Sequence, residues 1–291
     1  MTRALVLLLA LLCVLAACSV APSPPERTGT TRQALEWTFE ASLAQDYQAS
    51  QGNAVALSGD TLVVGSFRVD QSRGAADVYR RGADGAWSHE AQLRPPFDAL
   101  SSFGVYVAIS GDRIVVSSYS GFFVYERLGR TWTLAQVLSP PVTPGKNAPQ
   151  PAAAIAGDVI VVESPQFVDP FSADPSAAGA LVVYERDEMT GAFLGTPMSL
   201  PEAHDDPSDG KIAIDGGMFV YANGHHLFLY RRVARGDWRL EATLDPVDPK
   251  ASVFGFTVAL HGDDLLVGSF DGNAVEVFRR RPAQLARRNN A

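Results

Sequence analysis

The sequence predicts an all-β protein: a five-bladed β-propeller of four-stranded antiparallel blades, closed by an N-terminal strand that completes the last blade. Three observations carry this expectation. A twelve-residue pattern recurs five times, aromatic residues follow each copy at regular places, and a lone strand pattern precedes the first copy while the last copy lacks one. Composition agrees: 46% of the 291 residues are apolar, and 25 Gly and 19 Pro with few long periodic runs suit many short strands and turns.

The five copies are Val55 to Ser66, Val107 to Ser118, Ala153 to Ser164, Ile212 to Asn223 and Val258 to Ser269, starting 52, 46, 59 and 46 residues apart. Each is two apolar runs of strand length around a two-residue turn, as at Gly59-Asp60, Gly111-Asp112, Gly157-Asp158, Gly216-Gly217 and Gly262-Asp263. Glycine at the first central position suits a type II′ hairpin. A third strand then ends at Tyr79, Tyr125, Tyr184, Tyr230 or Phe278. Trp87, Trp132, Phe193 and Trp238 open fourth strands that end at Leu93, Leu138, Leu200 and Leu244. Four strands in each unit of 46 to 59 residues match a propeller blade. The lone segment Trp37 to Leu43 reads as the fourth strand of the last unit, which would remove the open sheet edges that invite aggregation.

Arginine stands two residues after every third-strand aromatic, at Arg81, Arg127, Arg186, Arg232 and Arg280. One reading is a ring of five cations that binds a ligand. The other is structural: each guanidinium lies across its own hairpin on the next aromatic, Arg81 on Trp87, Arg127 on Trp132, Arg186 on Phe193, Arg232 on Trp238 and Arg280 on Trp37.

Residues 1–17 read as a signal peptide, with Arg3 before the uncharged apolar run Ala4 to Ala17, which is short for a bilayer span. Its end, Leu15-Ala16-Ala17-Cys18, resembles the lipobox of bacterial lipoproteins. That resemblance implies a lipidated Cys18 as the mature N-terminus, contact with membrane lipid through it, and outer-membrane sorting from Ser19. An ordinary secretory signal would also export the chain. The only cysteines are Cys13 and Cys18, so the body has no thiol for disulfides, thiolate catalysis or zinc. Residues 18–36, rich in Pro, Ser and Thr, read as a flexible tether, 37–281 as the propeller, and 282–291 as a basic tail. Loss of Arg3 leaves 23 basic against 32 acidic residues, a net charge of about −9 that disfavours a nucleic-acid partner.

Phe103-Gly104 and Phe254-Gly255 before first strands, the second-strand end Val64-Gly65-Ser66, and Gly74-Ala75-Ala76-Asp77-Val78-Tyr79 together resemble FG-GAP repeats. Such repeats build the seven-bladed head of integrin α chains and many bacterial surface proteins. Two departures stand out: there are five units here, and the place where those repeats often carry a calcium loop holds only a Gly-Asp turn, too few oxygens for Ca²⁺. No cofactor or metal is therefore expected. The acidic stretch Glu202, His204, Asp205, Asp206 and Asp209 fails the EF-hand spacing and reads as a solvated loop, and His225-His226 reads as a turn. No nucleophile elbow, phosphate loop or zinc-protease motif appears, so an enzyme is not the leading expectation.

Function is expected on the face that carries the connections between second and third strands and from one blade to the next. The candidate ligand-face residues are Phe67, Asp70 and Arg73 in one loop and Phe167, Asp169, Phe171 and Asp174 in the longest one. The leading reading is a monomeric, noncatalytic interaction module that presents this face to a protein or glycan. The alternatives are a periplasmic scaffold in envelope assembly and an enzyme with a site in the central channel.

Overall fold

The computed structural model of the protein describes residues 39–43, 52–96, 102–119, 121–138, 152–168, 178–199, 211–247, 253–269 and 274–281. Cys18, the tether, the acidic stretch 201–210 and the tail from 282 lie outside these. Two compact units are distinguished, Met1–Ser42 and Leu43–Ala291. The described part of the first, 39–42, contains no strand.

The second unit contains five antiparallel sheets. Blade 1 is β1 (Ala54–Ser58), β2 (Thr61–Ser66), β3 (Ala75–Arg81) and β4 (Trp87–Leu93). Blade 2 is β5 (Val107–Ser110), β6 (Arg113–Ser118), β7 (Gly121–Leu128) and β8 (Thr131–Leu138). Blade 3 is β9 (Ala153–Ala156), β10 (Val159–Val168), β11 (Ala178–Arg186) and β12 (Phe193–Ser199). Blade 4 is β13 (Lys211–Asp215), β14 (Met218–Ala222), β15 (Leu227–Ala234) and β16 (Asp237–Leu244). Blade 5 is β17 (Phe254–His261), β18 (Asp264–Ser269) and β19 (Ala274–Arg279). Each sheet runs in simple sequence order, and first strands of consecutive blades contact one another from β1 to β17, as in a β-propeller.

The first hairpin of every blade has the predicted turn. Pairs such as Ser58↔Thr61 and Ser110↔Arg113 leave two-residue loops. The first loop residue is left-handed, with φ of 55° at Gly59, 58° at Gly111 and 56° at Gly157, Gly216 and Gly262, while the residue after it is not. That is the φ pattern of a type II′ turn.

The expected closing strand, Trp37 to Leu43, begins outside the described residues; among those described the last blade comprises β17, β18 and β19. The other four blades receive their fourth strand from the hairpin that follows the third, which fixes its register locally. Exposed apolar side chains occur on every blade, among them Val55 and Leu57 on β1, Leu128 on β7, Leu194 on β12, Val233 on β15, and Val275 and Val277 on β19.

The core lies between blades, because alternate residues of each strand face opposite neighbours. Ile114, Val116 and Phe123 pack toward Val63 and Val78 of blade 1, whereas Val115, Phe122 and Val124 pack toward Ile160, Val162 and Val182 of blade 3. Corresponding clusters join blades 3 and 4 around Val161, Leu181, Phe219 and Phe228, and blades 4 and 5 around Val220, Leu227, Phe254 and Val267. Burial pushes the phenols of Tyr125 and Tyr230 up to about 12. Tyr221, which donates to the buried Glu163 carboxylate at 2.9 Å, is raised further by burial and by that charge.

A polar lattice overlies these cores on the hairpin face. The arginine that recurs in each unit donates its backbone N–H to the carbonyl of a turn residue: Arg81 to Asp60, Arg127 to Asp112, Arg186 to Asp158, Arg232 to Gly217 and Arg280 to Asp263. Four of the guanidinium groups then reach the preceding blade, Arg127 to Glu90 (3.5 Å), Arg186 to Glu126 (3.4 Å), Arg232 to Glu185 (3.0 Å) and Arg280 to Glu241 (3.5 Å). The expected stacking is present, among the described residues, at two of the five recurrent arginines, with Arg81 6.0 Å from the Trp87 centroid and Arg127 5.8 Å from Trp132. Ser58, Ser110 and Asp215 at the ends of first strands accept the next blade's turn N–H from Gly111, Gly157 and Gly262.

Phe-Gly performs a matching task at the other edge. Phe103 bridges Gly74, and Phe254 bridges Gly224, so in both cases the chain entering a blade is tied to the loop between second and third strands of the blade before. A Cβ at Gly104 (φ 89°) would land on the Ala75 carbonyl oxygen, and one at Gly65 on the Gly104 carbonyl. Gly104→Ala is therefore expected to lower the unfolding free energy by about 2 kcal/mol or more, through left-handed strain and backbone collision. Urea denaturation checks this, and a variant as stable as the parent would show that blades 1 and 2 do not approach this closely.

Candidate functional site

On the loop face, blade 1 presents a turn of unusual backbone. Asp70, Gln71 and Ser72 follow one another with φ of 54°, 56° and 69°, in the left-handed region that non-glycine residues avoid. Each such residue costs on the order of 1–3 kcal/mol and persists only where the surroundings hold it. Here the base of the turn closes through the Gly74 N–H to the Val69 carbonyl (2.9 Å), and the flanks are gripped by the N–H groups of Ser102 on Ser72 (2.9 Å) and Phe103 on Arg73 (3.1 Å). Val69 is buried beneath it.

The expected residues Asp70 and Arg73 do come together, 3.7 Å apart, with side chains 47% and 43% exposed. Arg94 joins them, donating to Asp70 Oδ2 (3.5 Å) and to the Gly74 carbonyl (3.4 Å). The Arg94 carbonyl accepts from the Tyr125 hydroxyl of blade 2 at 2.7 Å, so the cluster is anchored across a blade boundary. Phe67 stands apart from this group, half-buried with the Arg68 guanidinium 5.2 Å from its centroid. Phe167 contributes backbone to β10, while Asp169, Phe171 and Asp174 lie outside the described residues.

A second feature on this face was not foreseen. Lys211 opens β13, and its ammonium donates to the Tyr106 hydroxyl at 3.1 Å. The same Nζ lies 5.7 Å from the Tyr106 ring and 5.8 Å from the Phe256 ring, so blades 2, 4 and 5 meet around one cation. Among the described residues Lys211 makes no ion pair with an acid. The sequence holds one signal of it: Lys211 is one of only three lysines, and it stands at the first position of a first strand. Because a single blade carries it, the repeat pattern does not reveal it.

His226 pairs through Nδ1 with Asp245 (2.7 Å), and both His225 and His226 N–H groups donate to the Asn223 side chain, which makes the pair part of a turn. Among the described residues no group of three or more His, Cys, Asp or Glu is placed to hold a metal ion, and no helix is long and apolar enough to cross a membrane.

The fold is that of a five-bladed β-propeller, an assignment that rests on the sheet order and blade contacts above. No family profile matches the chain, and no curated protein matches it either. Among solved structures it is similar to a protein from Lactobacillus plantarum at 15% identity, covering 78% of this chain and 84% of that one with a TM-score of 0.43. It is also similar to a chain of a nidogen/laminin complex at 10% identity (78% and 74% covered, TM-score 0.45). A third is KlHsv2 with its loop 6CD replaced by a Gly-Ser linker, at 11% identity, with 79% of this chain and 62% of that one covered and a TM-score of 0.48.

The strained turn yields a direct expectation. Gln71→Gly removes the Cβ penalty of a left-handed residue and should raise stability by about 1 kcal/mol. Equilibrium unfolding measures it, and a clear loss of stability would contradict the left-handed conformation.

Proposed function

We propose that this chain is a noncatalytic interaction module of FG-GAP type, attached to the outer membrane through a lipidated Cys18 and presenting its propeller loop face to a protein or glycan. The observation that supports this most is the division of labour between the two faces. On the hairpin face four of the five recurrent arginines are engaged between blades. The loop face instead carries the strained Asp70–Ser72 turn, an exposed Asp70–Arg73–Arg94 cluster, and the aromatic-framed Lys211. Strain and charge that the fold does not need are characteristic of contact surfaces. The Phe-Gly bridges at Phe103 and Phe254 give the FG-GAP reading a structural reason, and Leu15-Ala16-Ala17-Cys18 supports the anchor.

Site-specific photocrosslinking in the native host tests the reading. A photoreactive residue at Asp70 should give a discrete adduct, resolved as protein or glycan by staining, while the same residue at Asp84 in a blade 1 hairpin should give none. Adducts from position 84 alone, or from neither position, would contradict it. Cys18→Ser should also release the domain from the membrane fraction, and retention there would contradict the anchor.

A further inference from the structure

The hairpin face contains one place where the balance of charge between blades fails. Between blades 1 and 2 lies an open groove of about 720 Å³ whose lining includes Arg80, Arg81, Arg127 and Arg130 but only two carboxylates, Asp60 and Glu90. Four guanidinium groups face these two acids and Asp112, which reaches Arg127 from the neighbouring groove, a local charge of about +1 in a chain whose net charge is −8. The next groove, of about 360 Å³ between blades 2 and 3, shows that this is not forced by the fold. Its two arginines, Arg113 and Arg127, face Asp112 and Glu126, and Arg113 bonds Glu126 at 3.0 Å and Asp158 at 2.8 Å.

The excess in the larger groove resides in Arg80 and Arg130. Arg127 is engaged with Glu90 and Asp112, and Arg81 lies over Trp87. Arg80 donates only to the neutral Thr61 hydroxyl at 3.0 Å, and among the described residues neither Arg80 nor Arg130 makes an ion pair. One stands on β3 and the other on the turn between β7 and β8, so two blades each supply an uncompensated guanidinium to one concavity. Guanidinium forks match tetrahedral oxyanions, and the two guanidinium groups of Arg80 and Arg130 can each take one charge of a phosphomonoester dianion. The volume exceeds that of a phosphate and leaves room for the group that carries it.

We propose that this groove binds a phosphomonoester, carried on a small polar molecule or on a lipid headgroup, with Arg80 and Arg130 as its principal ligands. The site is on the face opposite to the proposed partner surface and does not depend on that reading.

Calorimetric titration of the folded protein with glycerol 3-phosphate, and co-sedimentation with phosphatidylcholine vesicles with and without phosphatidic acid, test the proposal. Saturable one-to-one binding of glycerol 3-phosphate, weakened about tenfold or more by Arg130→Ala, supports a soluble ligand. Binding only to vesicles that contain phosphatidic acid, again lost in Arg130→Ala, supports a lipid headgroup. Arg130 is exposed on a turn and among the described residues bonds no other blade, so its variant should fold as the parent does, and circular dichroism verifies this. Arg80→Gln provides the second wall with the same expected loss. Binding in neither assay, or binding that Arg130→Ala and Arg80→Gln leave unchanged, overturns the proposal.

Discussion

The architecture depends on each blade being held to the one before it, because the core of this protein lies between its sheets rather than inside any of them. Apolar burial supplies most of the attraction, but an apolar face is non-directional and would tolerate a slide or rotation of one sheet on another. The recurrent arginine removes that freedom. Its backbone N–H is fixed to its own blade's turn, and its guanidinium is fixed to a carboxylate of the preceding blade. The turn N–H groups received by Ser58, Ser110 and Asp215 set the same alignment nearer the axis.

The partner carboxylates arise in two ways. In blades 2 and 3 they sit on the third strand, immediately before the arginine, as Glu126 and Glu185. In blades 1 and 4 they are Glu90 and Glu241, each the extra residue of a β-bulge in the fourth strand, opposite Tyr79 and Tyr230. A bulge turns its residue away from the regular alternation, and here it directs a carboxylate at the neighbouring blade. Blade 2 has the same bulge, but with Ala135 there and its glutamate on the third strand. Blade 3 has no register shift at that point and places Gly195 opposite Tyr184, where a Cβ would strike the ring.

This explains which parts of the structure were legible in the sequence. Hairpin turns were, since Gly at a fixed offset between two apolar runs has one geometry that fits a two-residue loop. The position of the arginine was visible too, but its main contact was not: hairpin stacking was expected, and the inter-blade pair is hidden because its acid changes strand from blade to blade. Lys211 was missed for the related reason that it interrupts the repeat instead of following it. The closing strand was read from pattern alone, and Trp37 and Glu40 do share the Trp-x-x-Glu spacing of Trp87–Glu90 and Trp238–Glu241.

A double-mutant cycle on Glu90 and Arg127 tests whether the arginines align the blades, since this is the least exposed of the four pairs, at 10% and 16% side-chain exposure. Glu90→Gln, Arg127→Met and the double variant would be compared by urea denaturation. If the arginines fix one blade on the next, the two substitutions should couple by about 1 kcal/mol or more. Additivity within about 0.3 kcal/mol would mean that apolar packing alone sets the alignment.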